Sequence, residues 1–212
     1  CLHAGVMQGD QYTETKEGTA QGSSLSPLLA NIYLHHALDK WFHEQVKPRL
    51  SGRAELMRYC DDFVMLFEHE EDAERVMQVL GKRLGKYNLK LHPDKTRLLK
   101  FGKPPDGQKQ GKGRATLDFL GFTLYWARSR RGRWQMRAKT RRKSLRRSLQ
   151  KSNEWCRRSR RLPIDVQHEG LVKRMVGHYN YFGVNGNLDS LDRYRNGVTQ
   201  QWRKWLNRRN QK

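Results

Sequence analysis

Two neighbouring carboxylates, Asp61 and Asp62, stand between two apolar segments in Arg58-Tyr59-Cys60-Asp61-Asp62-Phe63. Upstream, Leu56, Met57 and Tyr59 read as a strand; downstream, Phe63 to Phe67 is an unbroken apolar run. A short run that is apolar on both faces has the pattern of a strand inside a covered sheet. Aspartate is a poor strand former, and two in succession repel each other, so a pair at the tip of a good hairpin points to a use for the charge. A hard divalent cation is the partner that suits it. Magnesium takes one or two protein carboxylates, keeps waters, and fills its remaining positions with substrate phosphate. The same pair also suits a plain turn, where aspartate is common.

The elements around this tip read as a mixed α+β chain. Gly18-Thr19-Ala20-Gln21-Gly22-Ser23-Ser24-Leu25-Ser26-Pro27 is a loop of glycines and small hydroxyls ending in a helix start, with Ser26 as side-chain cap and Pro27 at the first helical position. Backbone amides and Gln21 in such a loop can approach a nucleotide closely, although many loops of this composition are ordinary connections. The helix is expected to run to about Val46, with Leu34, Ala37, Leu38, Trp41 and Phe42 on one face. Adjacent His35 and His36 point to different helix faces, which favours exposed side chains over a metal site. Asp10 to Glu17 reads as a strand pair. Ala73, Val76, Met77, Leu80, Leu84 and Tyr87 follow helical spacing, behind acids at 70–72 that suit a helix N-terminus. Short strands are expected over Leu89–Leu91 and Thr96–Phe101, on either side of a His92-Pro93-Asp94-Lys95 turn in which Lys95 is most simply a solvated residue. Leu117 to Trp126 reads as one strand with Gly121 inside it, a sign of close backbone approach. It turns through Ser129 to Gly132 into Trp134 to Lys139.

Charge is distributed unevenly. The formal net charge is +22. Residues 1–100 carry 14 basic and 14 acidic side chains, so 29 basic and 7 acidic ones fall in residues 101–212. A neutral domain followed by a basic one, with a polyanionic partner, is the reading this supports. From Arg128 to Arg161 there are 16 Lys/Arg against the single acid Glu154, interleaved with Trp134, Leu145, Leu149 and Trp155. A charge run is often a solvated face, but this interleaving favours a folded basic helix able to lie along phosphates. Leu162-Pro163-Ile164 ends it. A helix over about 166–181 follows, with Val172, Met175, Val176 and Tyr179 inward, and then a last helix with Leu188, Leu191, Tyr194, Val198, Trp202, Trp205 and Leu206 on its buried side. The three cysteines (Cys1, Cys60, Cys156) have neither zinc nor disulfide spacing, which fits a reducing, cytoplasmic setting. No apolar stretch approaches a membrane span, and none reads as a signal peptide. The chain opens on Cys1 within a polar segment and reads as a fragment.

Several separated segments together resemble one family. Gly18 to Leu34, Tyr59-Cys60-Asp61-Asp62, Leu91-His92-Pro93-Asp94-Lys95-Thr96 and Phe119-Leu120-Gly121-Phe122 resemble, in order and spacing, the later palm motifs of reverse transcriptases, with the strongest likeness to group II intron-encoded reverse transcriptase/maturases. Gly177-His178-Tyr179-Asn180-Tyr181-Phe182-Gly183-Val184 and Trp202-Arg203-Lys204-Trp205-Leu206-Asn207-Arg208-Arg209 resemble that family's thumb, or X region. The resemblance implies a partial right-hand palm over residues 1–126, an antiparallel sheet with packed helices, and an α-helical thumb bundle over 127–212. It implies RNA-directed DNA polymerase activity on an RNA template, a DNA primer and dNTPs, together with binding of group II intron RNA. Asp61 and Asp62 match the carboxylates that hold magnesium, which manganese can replace. Lys95 matches a proposed general acid toward pyrophosphate. Gln21 and Gly22 match the loop lining template and nucleotide, Tyr59 and Cys60 flank the metal pair, and Phe119, Leu120 and Gly121 match the primer grip. Arg137, Lys139, Arg141, Arg142, Arg146, Arg157 and Arg158 would track the duplex by its A-form shape.

Ala20 stands where the family has Pro, Ser23 where it has Gly, and Cys60 where it usually has Ala. The fingers and the strand bearing the family's first catalytic aspartate have no match, since Asp10 lies in Gly-Asp-Gln, so the chain alone is expected not to polymerise. Two alternatives stay open. A non-catalytic maturase would use the basic half alone. A nucleotidyl cyclase also presents an acidic hairpin, but it has no need of so basic a C-terminal half.

Overall fold

The computed structural model describes residues 25–105 and 115–209, and the backbone of 6–8 and 11–13. By packing, the chain divides into two compact units, Cys1–Leu98 and Leu99–Lys212.

In the first unit, β1 (Val6–Gln8) and β2 (Gln11–Thr13) form an antiparallel pair, so the pair expected over 10–17 begins earlier, at Val6. Helix α1 (Ser26–Leu34) carries Pro27 in its first turn. The cap position falls on Leu25 rather than Ser26, and Leu25 is itself in helical dihedrals with no side-chain cap. The helix then widens into π-type turns at His35–Asp39 and Phe42–Val46 and closes in a 3-10 turn, Lys47–Arg49. Nothing in α1 proper is buried; Ala37, Leu38, Trp41, Phe42 and Val46 of the wide turns carry its share of the core. His35 and His36 are exposed.

Strands β3 (Ala54–Tyr59) and β4 (Asp62–Phe67) form an antiparallel hairpin in which Arg58 faces Phe63 and Tyr59 faces Asp62. Period-two alternation puts Leu56, Phe63, Met65 and Phe67 against Leu38, Trp41 and Phe42. The opposite face stays open: Met57 is 46% exposed, Leu66 42% and Tyr59 64%. Among the described residues, then, the hairpin is a two-stranded sheet covered on one side, not a strand pair buried on both faces. Helix α2 (Glu70–Gly85) closes this core with Val76, Leu80 and Leu84. Its buried Asp72 accepts the backbone N–H groups of Ser51 and Gly52, each at 3.0 Å, and pairs with Arg75. The Gly52 amide is the main cause that holds this carboxyl below its ordinary range. The strands expected at Leu89–Leu91 and Thr96–Phe101 do not form. No neighbouring ladder pairs with either segment among the described residues, and Leu98 and Leu99 are left exposed.

The second unit opens with an antiparallel sheet of β5 (Leu117–Phe119), β6 (Phe122–Arg128) and β7 (Trp134–Thr140) in sequential order. Leu117 to Trp126 is therefore not one strand. It folds back at Leu120-Gly121, where φ is +47° and +79°. A two-residue loop with both φ values positive matches the twist of its flanking strands, and the lone glycine supplies the turn rather than a mid-strand contact.

Helices α3 (Arg142–Ser159), α4 (Ile164–Phe182) and α5 (Leu188–Leu206) complete the unit around Cys156, Leu171, Tyr194 and Val198. Two close approaches set the packing: a Cβ on Gly170 would lie 2.4 Å from Trp155, and one on Gly197 2.6 Å from Leu149. The inward face of α4 differs from the expected one. Gln167, Leu171, His178 and Phe182 are buried, Met175 and Tyr179 pack against the core, and Val172 and Val176 lie outside. Apolarity alone does not mark that face: Gln167 is buried with its hydrogen bonds met, and buried His178 stacks on Tyr194 while its Nε2 has no partner among the described residues. Leu188 is 72% exposed, so the buried stripe of α5 begins later. Two buried amides bind the parts together. Asn187 accepts from Thr140 N and donates to Thr140 Oγ1 and Phe182 O, all at 2.8 Å. Gln167 donates to Leu162 O and accepts from Trp202 Nε1.

Candidate functional site

Cys60 and Asp61 form the two-residue loop of the β3–β4 hairpin, and Asp62 opens β4. Cys60 takes the left-handed conformation, φ +53°, which a non-glycine residue rarely adopts. Asp61 and Asp62 are exposed, and neither makes a hydrogen bond or ion pair among the described residues. Asp62 shares the open face with Tyr59, Val64 and Leu66. Free carboxylate oxygens side by side at a hairpin tip are a donor set that fits a magnesium ion with open coordination positions. No group of three His, Cys, Asp or Glu gathers here or elsewhere among the described residues.

Behind the tip lies a polar network that the sequence reading does not contain. Arg58 occupies an inward position of β3. Its Nε and Nη2 donate to Asp39 Oδ1 and Oδ2 at 2.8 and 2.6 Å, and its Nη1 donates to Asn31 Oδ1 at 2.7 Å and to Cys60 O at 2.9 Å. The Arg58 hydrogen bonds hold the Asp39 carboxyl below the ordinary carboxylate range, and Asp39 in turn raises the guanidinium. One side chain thus ties the loop carbonyl to two positions, about two turns apart, on the helix that follows residues 18–25. The signal was a charge at an inward strand position, which demands a partner, opposite an Asp beside the core residue Leu38.

The other expected residues are distributed as follows. Gln21 and Gly22 lie outside the described residues. Lys95 is exposed in a turn held by Thr96 N and Thr96 Oγ1, both donating to His92 O. In the second unit, Phe119, Leu120 and Gly121 form the tip of the β5–β6 hairpin, which the end of α4 supports. Tyr181 Oη donates to Leu120 O at 3.0 Å, Arg141 N donates to Gly121 O at 2.9 Å, and Phe122 stacks on Tyr181 at 5.9 Å. Two segments of the resemblance, 119–122 and 177–184, therefore build one local structure. Arg141 pairs with Asp118 at 3.0 Å, Lys139 lies over the Tyr125 ring, and Arg137 is half-buried. Arg142, Arg146, Arg157 and Arg158 are exposed along α3. No helix among the described residues is long and apolar enough to cross a membrane.

Residues 1–124 match the family model described as Reverse transcriptase (RNA-dependent DNA polymerase). The chain is 34% identical over 97 aligned positions to the Group II intron-encoded protein LtrA of Lactococcus lactis subsp. cremoris, an alignment that takes in 35% of this chain and 16% of that protein. It is 30% identical over 94 positions to the Telomerase reverse transcriptase of Mus musculus, covering 44% of this chain and 8% of the relative. The chain thus spans less than a fifth of the length of these relatives.

Proposed function

From the premise that the chain belongs to the reverse transcriptase (RNA-dependent DNA polymerase) family, we propose that it is the later palm and the thumb of an RNA-directed DNA polymerase of group II intron type. Residues 1–126 are the palm portion and 127–212 the thumb. The observation that carries the reading is the unpaired Asp61-Asp62 tip, inside the matched region and braced from behind by Arg58.

Asp61 and Asp62 hold divalent metal, Mg²⁺ or Mn²⁺. When bound, the metal activates the primer 3′-hydroxyl and offsets charge on the leaving pyrophosphate. Arg58, paired with Asp39, fixes the loop carbonyl without drawing on the tip carboxylates. Lys95, exposed in its turn, donates a proton toward pyrophosphate. The Leu120-Gly121 turn positions the primer strand. The exposed arginines of α3 follow the template–primer duplex and, in the maturase role, intron RNA. The net charge of +22, carried by residues 101–212, supports a polyanionic partner.

The 212 residues alone do not polymerise in this reading, because two-metal chemistry needs a further carboxylate from another strand, and no group of three His, Cys, Asp or Glu gathers among the described residues. The test is primer extension on an RNA template by this chain joined to the preceding palm and fingers region of a group II enzyme. Activity that disappears in Asp61→Ala, with RNA binding retained, supports the reading. Extension that survives the substitution, or that the isolated chain already performs, overturns it.

A further inference from the structure

The last turn of α3 and the corner leading into α4 place Arg157, Arg158, Arg160 and Arg161 around one open cleft of about 440 Å³. That volume falls within the range of about 300–1,000 Å³ typical of ligand pockets, but the lining is unlike theirs, because only guanidinium-bearing residues line it. None of the four forms an ion pair with a carboxylate among the described residues. Like charges held together without a counter-charge repel one another and work against the compact state, so the arrangement is relieved when an anion enters.

The corner that carries these side chains is stiff. Gln167, fully buried, donates to Leu162 O at 2.8 Å and reaches Arg160 O at 3.4 Å, and its own oxygen accepts from Trp202 Nε1 at 3.0 Å. Arg209 Nη2 donates to Leu162 O from the end of α5, at 3.2 Å. At the C-terminal end of α3, Ser159 O accepts from Leu162 N at 3.0 Å and Arg160 O from Gln167, which engages two carbonyls whose partial negative charge would otherwise oppose an approaching anion. The guanidinium groups therefore radiate from a fixed backbone, and binding has to order the side chains but not the chain that carries them.

We propose that this corner is a discrete phosphate cradle that grips the RNA backbone where two or more phosphates come close together. The proposal rests on the RNA-binding reading above and adds a place and a chemistry to it. Guanidinium forks match phosphate oxygens in pairs, which a lysine ammonium does not. Without aromatic or apolar lining, the cleft offers nothing to a base or to the body of a metabolite. An acidic peptide is the less suitable occupant, since carboxylates do not reach the charge density of adjacent phosphates.

The experiment uses the 212-residue chain and a labelled RNA hairpin, with affinity measured across salt and each variant's fold checked by circular dichroism. Arg160→Gln with Arg161→Gln is expected to weaken RNA binding about ten-fold or more near physiological salt and to lower the salt slope by about 2. Arg157→Lys with Arg158→Lys keeps the charge, and is expected to weaken binding about three-fold with an unchanged slope. Arg130→Gln with Arg131→Gln, at the β6–β7 turn, serves as the charge-matched control and should change affinity less than about three-fold. Inorganic pyrophosphate should shift the Nε–Hε resonances of the corner arginines and compete with RNA, and poly-glutamate of equal charge should not. If control and corner variants weaken RNA binding alike, or poly-glutamate competes equally, the cradle is wrong while RNA binding stands. If the wild-type chain binds no RNA but its corner still shifts with pyrophosphate, the RNA reading fails and the site serves free polyphosphate instead.

Discussion

Arg58 grips Asp39 with two parallel hydrogen bonds, at 2.8 and 2.6 Å, while a third nitrogen of the same guanidinium holds the carbonyl of Cys60. The pair is mostly shielded, with side-chain exposures of 12% and 20%. It lies between the helical segment of residues 26–49 and the loop that presents the two carboxylates.

Breaking this pair should loosen the hairpin. Asp39→Asn and Arg58→Gln are each expected to cost about 1–3 kcal/mol, the range for hydrogen bonds to charged groups. The double variant should cost clearly less than the two singles added, because both remove one interaction. Urea unfolding of all four proteins measures the cycle; strict additivity would show that the contact carries no energy.

Cys60 occupies the left-handed region at φ +53°, which costs an ordinary L-residue about 1 kcal/mol or more. The order of stability at this position should therefore be Gly at or above Cys, Ala close to Cys, and Val lowest, since a β-branched side chain fits this conformation worst. Thermal unfolding gives that order directly. In the extended polymerase, comparing misincorporation by Cys60→Ala and the parent tests whether the thiol also affects fidelity. Identical kinetics would limit Cys60 to a backbone role.

Asn187 is 1% exposed and satisfies Thr140 N, Thr140 Oγ1 and Phe182 O. Replacing it with Ala leaves the buried Thr140 N–H unpaired and strips Thr140 Oγ1 of its donor, while Phe182 O keeps the Val184 N–H. A loss of about 3 kcal/mol is expected, and amide exchange at Thr140 should accelerate. A variant as stable as the parent would mean that water takes over these bonds.

Burial lowers the His178 imidazole below its ordinary value of about 6.5. Its ring stacks on Tyr194 at 3.8 Å and packs beside Phe182. The folded protein resists a proton that the unfolded chain accepts, so stability should fall as pH drops through about 6.5. The fall levels off only below the depressed folded value, where both states are charged. His178→Phe should flatten this part of the profile in denaturation measured between about pH 5 and 7; an unchanged slope would assign the dependence to other groups.

Gly170→Ala places a Cβ 2.4 Å from Trp155. Overpacking of this kind costs about 1–3 kcal/mol, and Trp155→Phe in the same chain should recover part of the loss. Equal stability of Gly170→Ala and the parent would show that α3 and α4 separate freely.

Of the basic run 128–161 that reads as a folded helix, only Arg142–Ser159 is helical, and Trp134 lies on a strand. The sequence by itself determined the acidic tip, the helices α2, α4 and α5 to within a few residues, the turn at 183–187 and the concentration of positive charge after residue 100. Each of these is a local signal: alternation along a strand, helical spacing of apolar residues, a proline that ends a helix, or a count of charges. What only the tertiary structure decided are relations between segments far apart in the chain. Leu89–Leu91 and Thr96–Phe101 have strand composition but no partner ladder, and a strand exists only through its neighbour's hydrogen bonds. The inward face of α4 runs through Gln167 and His178 rather than Val172 and Val176, because distant groups meet the hydrogen bonds of Gln167 and the rings of Tyr194 and Phe182 pack against His178. The same holds for Arg58 with Asp39, 19 positions apart, and for Asn187 with Thr140, 47 apart: pairings between fixed backbones leave no periodicity to read.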